Sequence, residues 1–167
     1  NGAMNKDKQP VAIAGPVTTG SGVITILKKQ KGNIKNRTGI ELQVVAISAK
    51  NRRKKRSVNV SSLKWIPSPL DLAKDPNVDV VVELIGDMDK TAAKVIREAI
   101  NNGKHVVTAN KSLLAKEGCI FEELAMRKGV FLRYEAAVAG GIPIIKVLQD
   151  SLIVNKISKL YGVINGT

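Results

Sequence analysis

The chain has 167 residues, of which 44% are hydrophobic, so it is long enough for one full domain and part of a second. This hydrophobic share argues against intrinsic disorder. No apolar run reaches the length of about 18 residues that a membrane helix needs. The formal net charge of +13 raises the hypothesis of nucleic-acid binding, but the aromatic side chains that stack on bases make up only 3% of the chain. We therefore expect no membrane partner, and a nucleic-acid partner is a weak second hypothesis behind a small-molecule substrate.

Short apolar runs alternate with longer amphipathic segments. In chain order, the sequence predicts a strand over 11–14, a helix over 18–37, a strand over 42–47, an irregular basic excursion over 48–62, a strand over 78–85, a helix over 89–102, a strand over 105–108, a helix over 111–128 and a strand over 130–134. Gly39 and Gly103 predict helix ends, and Gly118 predicts a break in the last helix. This alternation of apolar strands and helices predicts an α/β fold with a doubly wound parallel sheet.

Metal and redox chemistry are limited by a single cysteine, Cys119, and a single histidine, His105. One cysteine excludes an intramolecular disulfide and a cysteine-rich zinc site, and it favours a reducing, cytoplasmic setting. We expect both side chains to serve in packing. Residues 1–3 are typical of a tag remnant before Met4, and no signal peptide precedes the first strand.

The first predicted strand runs into a glycine-containing turn, GPVTTGSG over 15–22. In a dinucleotide-binding fold, this turn faces a pyrophosphate across a helix N-terminus. The G-x-G-x-x-G pattern would need glycine where Val17 stands, and Pro16 has no N–H to donate. On the turn alone, cofactor binding and a tight turn without ligand have equal weight. Ligands bind such sheets beyond the strand ends, which gives the cofactor candidates Gly15, Thr18, Thr19, Gly20 and Gly86.

The second predicted strand ends without the acidic residue that NAD-selective sites place on the ribose hydroxyls. Residues 50–56 contain six cations and no carboxylate. A phosphorylated ribose would be attracted there, so the composition favours NADP(H) over NAD(H). Lys50 and Arg52, nearest the strand end, are the candidates for phosphate contact. The alternative is a solvated basic loop.

Four segments carry a more specific resemblance: VVVELIG over 80–86, GKHVVTANK over 103–111, EAAVAGGIPII over 135–145 and YGVINGT over 161–167. Together they closely resemble homoserine dehydrogenase, and the resemblance runs from about Val11 to Thr167. It implies an oxidoreductase of the aspartate pathway that interconverts L-homoserine and L-aspartate 4-semialdehyde with NAD(P). It also implies a Rossmann NAD(P)-binding domain over 4–137, the start of a dimerisation and substrate domain over 138–167, and a homodimer in the full-length enzyme.

The resemblance also assigns individual residues. Lys111 matches the lysine that reaches toward the nicotinamide and the reacting centre, the alternative being a surface lysine at a helix start. A monovalent-cation site for sodium matches Glu135, Val138, Gly140 and Ile142. The principal catalytic residues of the family match positions beyond Thr167, so we expect this chain alone to show little or no turnover.

Two other hypotheses remain. A non-catalytic basic module would bind nucleotides or polyanions through a degenerate turn and the cations of 50–56. A piece of a fused kinase–dehydrogenase is a third hypothesis, against which the early Met4 argues.

Overall fold

A computed structural model describes residues 8–15, 17–49, 60–85 and 90–134, together with Lys146 and Asp150. The helices and strands follow one another as β1 (Lys8–Ala14), α1 (Val17–Thr38), β2 (Glu41–Ser48), β3 (Lys64–Trp65), α2 (Pro69–Lys74), β4 (Val80–Glu83), α3 (Thr91–Asn101), β5 (His105–Thr108), α4 (Lys111–Lys128) and β6 (Leu132–Tyr134).

The strands form one six-stranded sheet in the order β3-β2-β1-β4-β5-β6, and every neighbouring pair is parallel. The predicted doubly wound α/β fold is therefore confirmed. β1 and β4 lie side by side at the centre, where the direction of winding reverses. In open sheets of this kind, the crevice outside the carboxyl ends of the strands at this reversal is the position of the ligand.

The pairing register aligns the carboxyl ends of the strands. Ala14, the last residue of β1, pairs with Ser48 on one side and with Glu83 on the other. Glu83 in turn pairs with Thr108, and Thr108 with Tyr134. The last residues of five strands therefore form one continuous row, which we call the carboxyl edge.

The core lies on both faces of the sheet. All four residues of β4 are buried, although successive side chains of a strand point to opposite faces. α3 adds a buried stripe at helical spacing, formed by Ala92, Val95, Ile96, Ala99 and Ile100. Among the described residues, no helix combines the length and the apolar character that crossing a membrane requires.

The sequence reading missed β3 and α2, because it assigned no element between the basic excursion over 48–62 and the strand predicted over 78–85. α2 has a recognisable start, because the Ser68 side chain accepts a hydrogen bond from the Asp71 N–H at 3.3 Å and Pro69 occupies the first helical position. β3 has only two residues at the sheet edge, too short for a periodic pattern. Most of the predicted basic excursion, residues 50–59, lies outside the described residues.

Two predictions on α4 were wrong. The helix continues through Gly118, which is buried, because glycine inside a helix costs only about 1 kcal/mol relative to alanine and does not by itself end the helix. Cys119 is exposed rather than packed, because it points away from the face that buries Gly118, Phe121 and Ala125. The predicted helix ends at Gly39 and Gly103 are confirmed by α1 and α3.

Candidate cofactor site

The chain leaves β1 and enters α1 within two residues. Gly15 has a φ of 149°, in a region that residues with a side chain rarely adopt. Its N–H donates to the Ser48 carbonyl at 2.5 Å, which ties the turn to the end of β2. Gly20 is buried in the first turn of α1, followed by the buried Ser21. The turn is therefore tight, and the N-terminus of α1 opens onto the carboxyl edge.

This helix end has the electrostatics of an anion site. The first turn of α1 contains no acidic residue, whereas Lys35 and Arg37 stand in the last turn. The first N–H groups of a helix lack intrahelical partners, and the macrodipole favours negative charge there. The backbone of Thr18 and Thr19 lies in this first turn, as predicted. These groups fit the pyrophosphate of a dinucleotide.

The end of β2 borders the same turn. Ser48 is buried, its carbonyl accepts the Gly15 N–H, and its hydroxyl lies 3.4 Å from the Pro67 carbonyl that accepts its hydrogen bond. The end of β2 therefore lies adjacent to the glycine turn, and in the sequence it is followed by the basic segment 50–56, with no acidic residue between them. Lys50 and Arg52 themselves lie outside the described residues.

A buried carboxylate stands at the end of β4. Glu83 is 0% exposed, its Oε2 accepts a hydrogen bond from the Thr108 hydroxyl at 2.6 Å, and its Oε1 accepts one from the Ile85 N–H. The Ala109 N–H also donates to the Glu83 carbonyl at 3.0 Å. Sequence reasoning overlooked Glu83. The available signal was a single acid inside the apolar run VVVELI, since Glu is rarely buried without partners.

A second set of hydrogen bonds continues from β5 into α4. The Asn110 N–H donates to the Thr108 Oγ1 at 3.0 Å, and the Asn110 Oδ1 accepts from the Leu113 N–H at 3.1 Å, which caps the helix. Lys111 is the first residue of α4 and is exposed. Two strand spacings separate β1 from β5, so Lys111 starts about 10 Å from the glycine turn along the carboxyl edge.

The structure brings together five of the predicted site residues at this edge: Gly15, Thr18, Thr19, Gly20 and Lys111. The other predicted residues lie outside the described part of the chain; they are Lys50, Arg52, Gly86, Glu135, Val138, Gly140 and Ile142. Within the described ranges, no three His, Cys, Asp or Glu side chains form a metal-binding group. The predicted sodium site consists entirely of residues outside these ranges and stays a prediction.

His105 lies at the opposite end of β5. Its Nδ1 accepts a hydrogen bond from the Phe131 N–H at 3.1 Å, and its ring stacks on the Phe131 ring with centroids 4.4 Å apart. Burial and the nearby Arg133 guanidinium lower the pKa of His105 to about 4. The imidazole is thus neutral at pH 7 and packs as expected, away from the carboxyl edge.

A parallel sheet with this strand order, a glycine turn and a helix N-terminus at its centre defines a dinucleotide-binding domain of the Rossmann type. The family model described as "Homoserine dehydrogenase, NAD binding domain" matches residues 15–135. The chain belongs to this family, and the match indicates a nicotinamide cofactor.

Several relatives share this similarity. The homoserine dehydrogenases of Pseudomonas aeruginosa and Neisseria gonorrhoeae are 42% and 40% identical over 157 residues, which is 94% of this chain and 36% of each relative. A crystal structure of the homoserine dehydrogenase from Thiobacillus denitrificans is 43% identical with a TM-score of 0.72, and the match covers 84% of this chain and 32% of that one. The chain therefore spans about a third of the length of the curated relatives that it matches.

Proposed function

We propose that this chain is the cofactor-binding portion of an oxidoreductase that interconverts L-homoserine and L-aspartate 4-semialdehyde with NADP(H). The observation that carries the proposal is the carboxyl edge of the sheet, where the N-terminus of α1 and Lys111 flank the ends of β1, β4 and β5. The family match supports the reaction class. We place the whole enzyme in the cytoplasm, as a homodimer that contributes to threonine, methionine and isoleucine biosynthesis.

The residues of this chain bind and orient, and the nicotinamide supplies the hydride chemistry. The free N–H groups of the first turn of α1 hold the pyrophosphate, and Gly15 lets the backbone turn tightly at that point. Lys111 brings an ammonium group to the same edge, where its charge favours the negative charge of a phosphate or of an oxygen near the reacting carbon.

Titration calorimetry with NADPH and NADH tests the cofactor assignment. We expect NADPH to bind with a Kd below about 1 mM, corresponding to about −4 kcal/mol or better, and to bind more tightly than NADH. Absence of NADPH binding at millimolar concentration would contradict the cofactor proposal. Tighter binding of NADH would contradict only the NADP(H) preference.

The basic segment supplies a sharper test of that preference. The double variant Lys50→Gln/Arg52→Gln removes two cations next to the proposed 2′-phosphate, so we expect NADPH affinity to fall by about tenfold while NADH affinity stays constant. The matched control is Lys28→Gln/Lys29→Gln, which removes the same charge from two exposed positions of α1. An equal loss of NADPH affinity in both variants would show that net charge alone is responsible.

We also propose that a sodium ion binds the Glu135 carboxylate and the main-chain carbonyls of Val138, Gly140 and Ile142, since a hard cation prefers oxygen ligands. A specific site predicts a higher unfolding midpoint in sodium chloride than in choline chloride at equal ionic strength. Glu135→Gln should abolish that difference. A midpoint that does not depend on the cation would refute the sodium site.

A further inference from the structure

We infer that Glu83 is a positioning residue: through Thr108 and Asn110 it fixes the start of α4, and with it Lys111, beside the cofactor crevice. The inference rests on the function proposed above, because the crevice is the site that α4 borders. It adds a role for a side chain of the carboxyl edge that is 0% exposed.

The donor and acceptor groups of Glu83, Thr108 and Asn110 determine the direction of each hydrogen bond between them. The Asn110 backbone N–H can only donate a hydrogen bond, so the Thr108 Oγ1 accepts from it at 3.0 Å. The single hydroxyl proton of Thr108 is then free to point at the Glu83 Oε2, 2.6 Å away. Glu83 thus orients the hydroxyl so that its lone pair faces Asn110. An apolar side chain at position 83 would leave this orientation unspecified.

The last of these contacts is the N-terminal cap of α4. Asn110 receives the Thr108 contact on its N–H and caps the helix with its side chain, which accepts from the Leu113 N–H at 3.1 Å. Lys111 follows directly, and its N–H donates to the Ala109 carbonyl at 3.1 Å. The backbone that carries Lys111 is therefore fixed on both sides of the residue.

The same carboxylate also acts on the chain that leaves β4. Its Oε1 accepts the Ile85 N–H, immediately before the cofactor candidate Gly86. Burying a carboxylate is unfavourable unless hydrogen bonds compensate, and a leucine would pack at this position without that penalty. What the carboxylate adds is a fixed geometry for two neighbouring segments of the crevice, those after β4 and after β5.

The test isolates the Thr108 hydroxyl. Thr108→Val has nearly the same shape but cannot join Glu83 to Asn110, whereas Thr108→Ser keeps the hydroxyl. The matched control is Thr38→Val, which removes a hydroxyl that donates to the Ile34 carbonyl at 2.6 Å at the opposite end of α1. The measurements are NADPH affinity by calorimetry, amide hydrogen exchange at Asn110 and Leu113, and the unfolding midpoint.

We expect Thr108→Val to weaken NADPH binding by about tenfold and to accelerate exchange at Asn110 and Leu113 by a similar factor, as the loss of a buried hydrogen bond predicts. Thr108→Ser should restore both, and Thr38→Val should change neither. Glu83→Leu, which removes the acceptor of the Thr108 hydroxyl, should give the same pattern as Thr108→Val.

Two results would overturn the inference. One is a Thr108→Val protein that binds NADPH as the parent does, even with a lower unfolding midpoint, because the contacts would then serve stability alone. The other is unchanged exchange at Asn110 and Leu113, which can be measured without any cofactor. If the parent chain fails to bind NADPH, the proposed function is wrong, and the exchange measurement still decides whether Glu83 fixes the start of α4.

Discussion

At the first position of β5, the His105 imidazole lies against the Phe131 ring and accepts the Phe131 N–H at Nδ1. Burial and the Arg133 charge both disfavour the protonated ring, which lowers its pKa from 6.5 to about 4. The unfolded chain therefore binds this proton more readily than the folded chain. The stability that depends on a neutral His105 is present above pH 6.5 and is lost as the pH falls toward 4.

We predict that the free energy of unfolding falls by about 2 kcal/mol between pH 7 and pH 4 because of His105, allowing for the remaining solvent contact of the ring. His105→Asn retains an acceptor near the Nδ1 position and does not titrate, so its stability should vary less over this range. Urea unfolding at a series of pH values measures the difference. Parallel pH profiles for the two proteins would contradict the assignment.

The carboxyl group of Asp75, near the same end of the sheet as His105, titrates below this pH range. Burial alone would raise the pKa of Asp75, but hydrogen bonds from Lys64 and from Asn77 outweigh it and lower the pKa from 3.8. The Lys64 Nζ lies 2.7 Å from the Asp75 Oδ2. Asp75 therefore contributes stability that is present above pH 3.8 and is lost only at lower pH, so it does not obscure the His105 effect.

At the scale of the element, one glycine inside α4 and one directly after it illustrate opposite backbone requirements. Gly129 ends the helix with a φ of 65°, a left-handed conformation in which its N–H bonds to the last turn. Gly118 lies inside the helix, and a Cβ added there would meet the Leu114 Cβ at 3.7 Å, an ordinary contact. Only the first position requires glycine.

We therefore predict that Gly129→Ala destabilises the protein by about 1 kcal/mol and that Gly118→Ala stabilises it by up to about 1 kcal/mol. A Cβ at Gly129 meets no atom within 4 Å, so the cost there is purely conformational. Chemical denaturation of the two variants provides the measurement, each serving as the control for the other. Destabilisation by Gly118→Ala would contradict the prediction that this position accommodates a Cβ.

At the scale of the whole molecule, the two ends of the sheet differ. The amino end contains a buried lysine contact that joins two segments of the chain, whereas the carboxyl edge borders the proposed cofactor crevice. Lys104, just before β5, is 4% exposed, and its Nζ donates to the carbonyls of Asp75 at 2.6 Å and Val78 at 2.5 Å. This contact joins the segment before β4 to the segment before β5 at the amino end. The four residues of β5 separate it by about 13 Å from the carboxyl edge.

We predict that Lys104→Met lowers the free energy of unfolding by about 2–3 kcal/mol, because it leaves buried carbonyls without this donor, and leaves NADPH affinity unchanged. Lys94→Met, at an exposed position of α3, is the control and should change stability by less than about 0.5 kcal/mol. Denaturation and calorimetry on the same samples give both quantities. A loss of NADPH affinity in Lys104→Met would show that the two ends of the sheet are coupled.

The elements that sequence reasoning recovered are those whose signal is local. The apolar run 80–82, the helical spacing of α3 and the helix-ending glycines each depend on residues that are close in the chain. The same holds for the glycine turn and for the segment that ends in Lys111. β3 and α2 escaped because two and six residues are too few to establish a period.

The sequence alone determined the α/β fold class, the family resemblance and the candidates Gly15 and Lys111, because segment order and short motifs are properties of the chain itself. Only the tertiary structure decided that Glu83 meets Thr108, which lies 25 residues further on. That contact follows from the register between β4 and β5, which depends on how whole strands align against a common core. The exposure of Cys119 and the continuity of α4 were decided in the same way, because the face that a helix buries is set by its packing partners.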